Sequence, residues 1–189
     1  MNTQPDACAR ALANLNSAIV ASSRFPDSVF VGDWENYFFF DSDWMFNTEF
    51  PETIKKFLAV EGSACACLFN LDVNWEKEQD RFLCLDRSTT PQWYKSMLYG
   101  TNVATSWILH VDRYACTSDV AQWGMYCERN NEIAVIAIRH GIPVERYLPL
   151  VAQFKAERLE NALAMPLSYG FTILPPDWRE RLLKSYPTP

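Results

Sequence analysis

The sequence predicts an α+β fold: a single globular domain over residues 1–189 whose mostly antiparallel mixed sheet is flanked by N- and C-terminal helices. Three observations predict it. Apolar residues recur at helical spacing near both ends of the chain, β-like runs fill its middle, and no internal repeat, low-complexity tract or Gly/Ser-rich linker divides it.

Residues 5–21 read as a first helix, with Pro5 and Asp6 suited to its first turn and Ala9, Leu12, Leu15 and Ile19 on one face. The segment 28–46 is dense in aromatics and punctuated by Gly32, Asp33, Asp41 and Asp43, which fits short strands joined by acidic turns. A helix then runs from Phe50 to about Val60: Thr48 can cap it, Pro51 suits its first turn, Ile54, Phe57 and Leu58 share a face, and Gly62 ends it. Strands follow at 63–71 and Phe82 to Leu85, separated by the acidic loop 72–80, and Thr90-Pro91 opens a short helix that Gly100 stops.

Three β-like runs come next, Ser106 to Arg113, Gln122 to Glu128 and Glu132 to Arg139. Arg129-Asn130-Asn131 links the last two, and Asn tolerates positive φ, so a tight hairpin is expected. Ile133 to Ile138 is apolar on both faces and should be a central strand. A long helix from Ile142 to about Ala164, interrupted or kinked near Pro149, and a final helix from Pro176 to Tyr186 complete the reading.

At 189 residues, 49% hydrophobic and 14% aromatic, the chain can bury about 70% of its unfolded surface and needs no staples. Six cysteines, Cys8, Cys65, Cys67, Cys84, Cys116 and Cys127, allow a disulfide framework, but Cys65 and Cys67 alternate in an apolar run where a free thiol packs as a small hydrophobe. The first ten residues lack the basic start and apolar core of an export signal, so a reducing cytoplasm and free thiols are expected. No apolar stretch approaches the roughly 20 residues needed to span a bilayer.

The net charge is −6 and the pI about 4.9, which disfavours nucleic acid and anionic membranes as partners and favours basic proteins. The asymmetry is marked: residues 1–80 hold 13 Asp/Glu against 5 Lys/Arg, residues 81–189 hold 10 against 12.

Catalytic patterns are sparse. No C-x-x-C pair, His pair at ligand spacing, G-x-S-x-G elbow, H-E-x-x-H or Gly-rich phosphate loop occurs, and only 6 glycines are present, so no metal and no cofactor is expected. The nearest catalytic arrangement is His110-Val-Asp112 with Cys116 or Cys127, which in a strand would put His110 and Asp112 on one face; a small hydrolase is therefore the alternative reading. A third is a DNA mimic, which needs acids spaced like phosphates over a long exposed face, whereas the acids here cluster in two loops with aromatics between them.

Asp27, Asp33, Trp34, Glu35, Tyr37, Asp41, Asp43, Trp44 and Glu49 mix acids with large aromatics in one stretch. Aromatics supply contact area and acids steer a basic partner, so these are the candidate partner-binding residues. The competing account makes Trp34, Tyr37 and Trp44 core residues and the acids turn caps, because a half-buried strand alternates in the same way.

The segment Gln122-Trp123-Gly124-Met125-Tyr126-Cys127-Glu128-Arg129-Asn130-Asn131-Glu132-Ile133-Ala134-Val135-Ile136-Ala137 resembles bacterial immunity proteins of polymorphic and type VI secretion toxins, in which a Trp-Gly-x-Tyr strand turns into an apolar one. The resemblance covers about a tenth of the chain and brings no catalytic residues with it. It implies a cytosolic protein, not an enzyme, that binds and blocks a cognate toxin domain, for instance a nuclease, in competition between bacteria. A basic groove built for phosphates would accept an acidic inhibitor. Oligomeric state is not legible.

Overall fold

The computed structural model describes residues 4–72, 82–101, 106–164 and 174–188. Its centre is one six-stranded sheet built from β1 (Trp34–Asp41), β2 (Cys65–Asn70), β3 (Phe82–Asp86), β4 (Arg113–Ser118), β5 (Trp123–Glu128) and β6 (Ile133–Arg139). The order is β1-β6-β5-β4-β2-β3 and every neighbouring pair is antiparallel. The expected α+β class holds, and the sheet is antiparallel throughout the described residues. Among the described residues seven α-helices flank it: α1 (Gln4–Ala18), α2 (Phe50–Glu61), α3 (Pro91–Tyr99), α4 (Trp107–His110), α5 (Leu148–Val151), α6 (Leu159–Ala164) and α7 (Pro176–Ser185).

The pleat sends alternate side chains to opposite faces, and both faces are covered, which is why the central strands are apolar throughout. Ala134, Ile136 and Ile138 of β6 join Phe38, Phe40, Met125 and Cys116 against α2, α3 and α5. Ile133, Val135 and Ala137 join Phe25, Phe39 and Tyr126 on the face covered by the end of α1, α6 and α7. Ala7 and Ala11, earlier in α1, lie on Cys65 and Cys67. Burying an apolar side chain on either face contributes about 1.5–3 kcal/mol.

Local signals explain most boundaries. Thr90 Oγ1 accepts from the Trp93 N–H at 3.1 Å and starts α3. Gly62 ends α2 in the left-handed region, φ 78°, where glycine carries no Cβ penalty. Thr48 does not take the capping role expected of it: Glu49 occupies the cap position without a side-chain hydrogen bond, and Asn47 Oδ1 accepts from the Glu49 N–H. The 129–131 hairpin forms, but the residue with positive φ is Glu132, at 56°, and neither asparagine takes that conformation.

Other expectations are corrected. The segment 28–46 gives one strand, β1, followed by a 3-10 turn at Ser42–Phe46. Ser106 to Arg113 is not a strand; Trp107–His110 make one helical turn that buries Trp107, and β4 begins only at Arg113. The long helix expected over 142–164 breaks into two 3-10 turns, α5 and α6. Pro149 lies in the first turn of α5, Lys155 adopts φ 53°, and Glu157 then pairs with Phe39 on the outer edge of β1, accepting at 2.7 Å and donating at 2.9 Å. Satisfying an exposed strand edge outweighs continuing the helix. The acidic loop 72–80 lies, beyond Asp72, outside the described residues.

The cysteines depart from the free-thiol expectation at one place: Cys8 of α1 and Cys84 of β3 form a disulfide, with Cα atoms 6.0 Å apart. Cys65, Cys67, Cys116 and Cys127 are free and buried. Among the described residues no helix is long and apolar enough to cross a membrane.

Candidate protein-interaction site

The residues proposed for partner binding do not form one patch. β1 is eight residues long, so its ends lie roughly 23 Å apart at the strand rise of about 3.3 Å per residue. Trp34 is paired with Arg139 at one end and Asp41 with Ile133 at the other.

At the Trp34 end the aromatics are structural. Trp34 is buried, donates from Nε1 to the Val31 carbonyl at 2.9 Å, and lies under the Arg139 guanidinium at 4.5 Å. Tyr37 is half-buried against the Tyr186 ring and donates to the Trp34 carbonyl at 3.0 Å; burial holds its phenol above the ordinary range. The acids there have local partners. Glu35 lies 3.2 Å from His140 Nδ1, Asp27 accepts from Arg181 of α7 at 2.7 Å, and the exposed Asp33 accepts the His140 N–H on its carbonyl at 3.0 Å. Trp44, half-buried on the Phe154 ring at 4.9 Å, is also a packing residue, and Glu49 is exposed in the turn before α2.

Asp41 and Asp43 are different, because strand pairing brings other acids to them. The turn at Arg129–Asn131 puts Glu132 beside the end of β1, where the Ser42 N–H donates to the Glu132 carbonyl. Asp112, just before β4, joins from the far side: its carbonyl accepts from the Arg129 N–H at 2.8 Å and its Oδ1 from the Asn130 N–H at 3.0 Å. Asp43, Asp112, Glu132, Arg129, Asn130 and Leu109 line an open cleft of about 590 Å³.

Its electrostatics are acidic around the fixed guanidinium of Arg129. Arg129 is pinned by donation to the Ile108 and Val111 carbonyls, stacks on Phe46 at 4.5 Å, and lies 3.7 Å from Asp43. Arg24 pairs with Asp112 at 3.0 Å. Behind the rim, Asp41 Oδ1 accepts from the Asp43 N–H at 2.8 Å; burial, then the charges of Asp43 and Glu132, raise its pKa. That crowding of like charge is relieved when a cation enters. Leu109, 61% exposed, supplies an apolar lip.

Sequence reasoning found Asp41 and Asp43 and missed Arg129, Glu132 and Leu109, which it used as a hairpin turn and a strand. Only the polarity of 129–132 marked that turn, and polarity marks any turn.

The hydrolase arrangement fails on access. Cys116 and Cys127 sit in the core at 1% and 0% exposure, where burial raises both thiols well above their ordinary value. A nucleophile needs a reachable thiolate, and neither cysteine offers one. Asp112 is committed to Arg24, Asn130 and the cleft wall, and His110 lies in α4, so the strand alternation invoked for the pair does not exist. Among the described residues no group of three or more His, Cys, Asp or Glu could hold a metal ion.

Comparison of the chain with protein-family models, with curated proteins and with solved structures finds no match.

Proposed function

We propose that this chain is an immunity-type binding protein: it neutralises a cognate toxin domain in the bacterial cytoplasm by engaging a basic surface through the acidic cleft between Asp43, Asp112 and Glu132. The cleft is the single observation that carries the proposal. It joins acids from three chain segments around a concave opening with an exposed leucine at its edge, the combination of registering charge and apolar contact that protein interfaces use. A lysine or arginine from a toxin, such as one that binds phosphates in a nuclease, would enter beside Arg129 and meet Asp43 and Glu132. The acidic balance of residues 1–80 supports the same sign of partner at long range.

Compared with the whole stretch from Asp27 to Glu49, the surface now proposed is narrower and adds residues from 109 to 132. Trp34, Tyr37 and Trp44 are packing residues outside its lining.

The test starts with a tagged chain recovered from its native host in moderate salt and the stoichiometric protein that stays bound. With that protein purified, the expected results are growth rescue when both are produced together and an association rate that falls steeply with ionic strength. Asp43→Lys with Glu132→Lys should weaken binding at least about tenfold, the scale expected for charges placed against a cationic surface, while Glu180→Lys on α7 should not. Equal affinity for the double variant and the unaltered chain would remove the cleft from the interface.

A further inference from the structure

Cys8, Cys65, Cys67 and Cys84 gather where α1 crosses β2 and β3. Cys67 stands directly opposite Cys84 in the β2–β3 ladder, and Cys65, two residues earlier, shares its face. Cys65 and Cys67 are covered by Ala7 and Ala11 of α1 at 1% and 0% exposure. Cys8 and Cys84, joined as the disulfide, are only half-buried. Hollows open on both sides of that bond. One of about 340 Å³, lined by Pro5, Cys8, Leu12 and Phe82, is apolar; the other, of about 400 Å³, is lined by Cys84, Asp86, Thr90 and Trp93.

Two consequences follow from this placement. The bond is within reach of a small reagent while the neighbouring thiols are not. Burial first, with nearby charge second, pushes the Cys65 and Cys67 thiols up to about 12, so almost no thiolate exists there to attack the bond and reshuffle it. The second consequence concerns α1. Its later turns are held by Leu15 and Ala18 in the core and by Asn14 Nδ2 on the Ser118 carbonyl. The first turns rest on the small side chains Ala7 and Ala11 with the half-buried Leu12 beside them, and on the solvent-exposed Arg10 paired with Asp119, contacts that bury little area or are screened by water. The covalent link therefore carries a large share of their attachment.

We propose that Cys8–Cys84 is a redox clasp: closed, it presses the first turns of α1 onto β2 and β3; opened by a dithiol reductant, it frees those turns and uncovers Cys65 and Cys67. A thiolate of the reductant attacks one sulfur of the bond and displaces the other, which takes a proton. The second thiol of the reductant then attacks the mixed disulfide, releasing the remaining protein thiol and leaving the reductant as its own disulfide. Two electrons pass from reductant to protein. β3 is the sheet edge opposite β1, so the clasp goes beyond the binding proposal and stands apart from it.

The full chain, first equilibrated with oxidised glutathione and freed of it, is treated with or without dithiothreitol, then alkylated under native conditions and analysed by mass spectrometry alongside amide hydrogen exchange. Without reductant none of the 6 cysteines should be alkylated. With it, Cys8 and Cys84 should react first and Cys65 and Cys67 next, with Cys116 and Cys127 still protected. Amide exchange over residues 7–12 should rise at least about tenfold while that of 133–138 stays unchanged. Cys8→Ser with Cys84→Ser should show the reduced pattern without reductant. Alkylation of Cys8 and Cys84 before reduction, or exchange over 7–12 that ignores reduction, overturns the proposal. The unaltered chain alone decides if the double variant does not fold.

Discussion

Arg113 and Glu128 face each other directly across β4 and β5, both buried, at 7% and 1% exposure. Each is also held by other groups. Arg113 donates to Asp72 at 3.2 Å and to the Ala21 carbonyl at 2.8 Å. Glu128 accepts from the Tyr126 hydroxyl at 2.6 Å, the Phe25 N–H at 2.9 Å and the Asn131 amide at 2.6 Å. The opposed pair thereby ties the segment after α1 to the end of the sheet that carries the acidic cleft.

Glu128→Ala should be among the costliest single changes outside the apolar core. It strips the acceptor from three donors, a loss of about 3–5 kcal/mol in all at about 1–3 kcal/mol for each buried donor left unsatisfied. Glu128→Gln keeps the shape and should cost about 1–3 kcal/mol. Urea unfolding should show the midpoint falling with its slope unchanged. A loss for Glu128→Ala no larger than that of an exposed substitution would refute a structural role for the network.

Gly124 explains the Trp-Gly-x-Tyr spacing. A Cβ placed there would meet Phe30 Cε1 and Trp34 Cη2, each at 3.2 Å, closer than side chains ordinarily pack. The glycine leaves room for the Trp34 ring that Arg139 covers. Gly124→Val should therefore destabilise the fold by about 1–3 kcal/mol through overpacking, despite the strand preference of valine. A thermal melt that instead rises would show the two rings free to withdraw.

This hairpin was legible from sequence because a polar turn separates two apolar runs: Ile133 to Ile138 has no polar position, and a strand between two covered faces needs none, although Glu132 rather than an asparagine takes the positive φ. The helices at Phe50, Pro91 and Pro176 were legible for the same kind of reason, a proline in the first turn with apolar residues at helical spacing behind it. Within 142–164 an interruption near Pro149 was expected, but the exit of the chain to the edge of β1 was not legible, because the deciding term is a pairing between Glu157 and Phe39, residues more than a hundred positions apart. The acidic cleft was half legible. Asp41 and Asp43 stand together in the chain, whereas Asp112 and Glu132 reach them only through strand order, which no local pattern encodes.

Alkaline solution should unfold the protein well before its backbone chemistry would. Burial holds Tyr94, Tyr114, Tyr126, Tyr147 and Tyr186 above the ordinary phenol value of 10.0 and pushes Cys65 and Cys67 from 9.0 to about 12. In the unfolded chain these groups lose protons near their ordinary values, while the folded chain keeps them. Below about pH 9 both states are protonated and nothing is lost; above it the unfolded state binds fewer protons and stability falls by about 1.4 kcal/mol per pH unit for each group. Most of the phenolate absorbance should appear in the same transition as the loss of circular dichroism, because five of the 8 tyrosines are these buried rings. Most of the phenolate appearing ahead of any loss of structure would mean that these rings are open to solvent.

Asp41 separates two roles that a single carboxylate usually confounds. As the cap of the 3-10 turn at Ser42–Phe46 it needs an acceptor for the Asp43 N–H; as a charge it is disfavoured by burial and by Asp43 and Glu132. Asp41→Asn retains the acceptor and removes the charge, so at neutral pH it should be as stable as the unaltered chain or more so, whereas Asp41→Ala loses the cap and should cost about 0.5–2 kcal/mol. The raised pKa fixes the sign with pH. Below the ordinary aspartate value of 3.8 the carboxyl is neutral in both folded and unfolded states, and the advantage of Asp41→Asn from removing the charge should vanish. As pH rises past that value the unfolded chain ionises first, the unaltered protein loses ground, and the advantage should appear. Denaturation midpoints of the three proteins across this range give the answer: Asp41→Asn falling with Asp41→Ala at neutral pH would mean that the Asp43 N–H requires a full negative charge, and that this hydrogen bond outweighs the repulsion from Asp43 and Glu132.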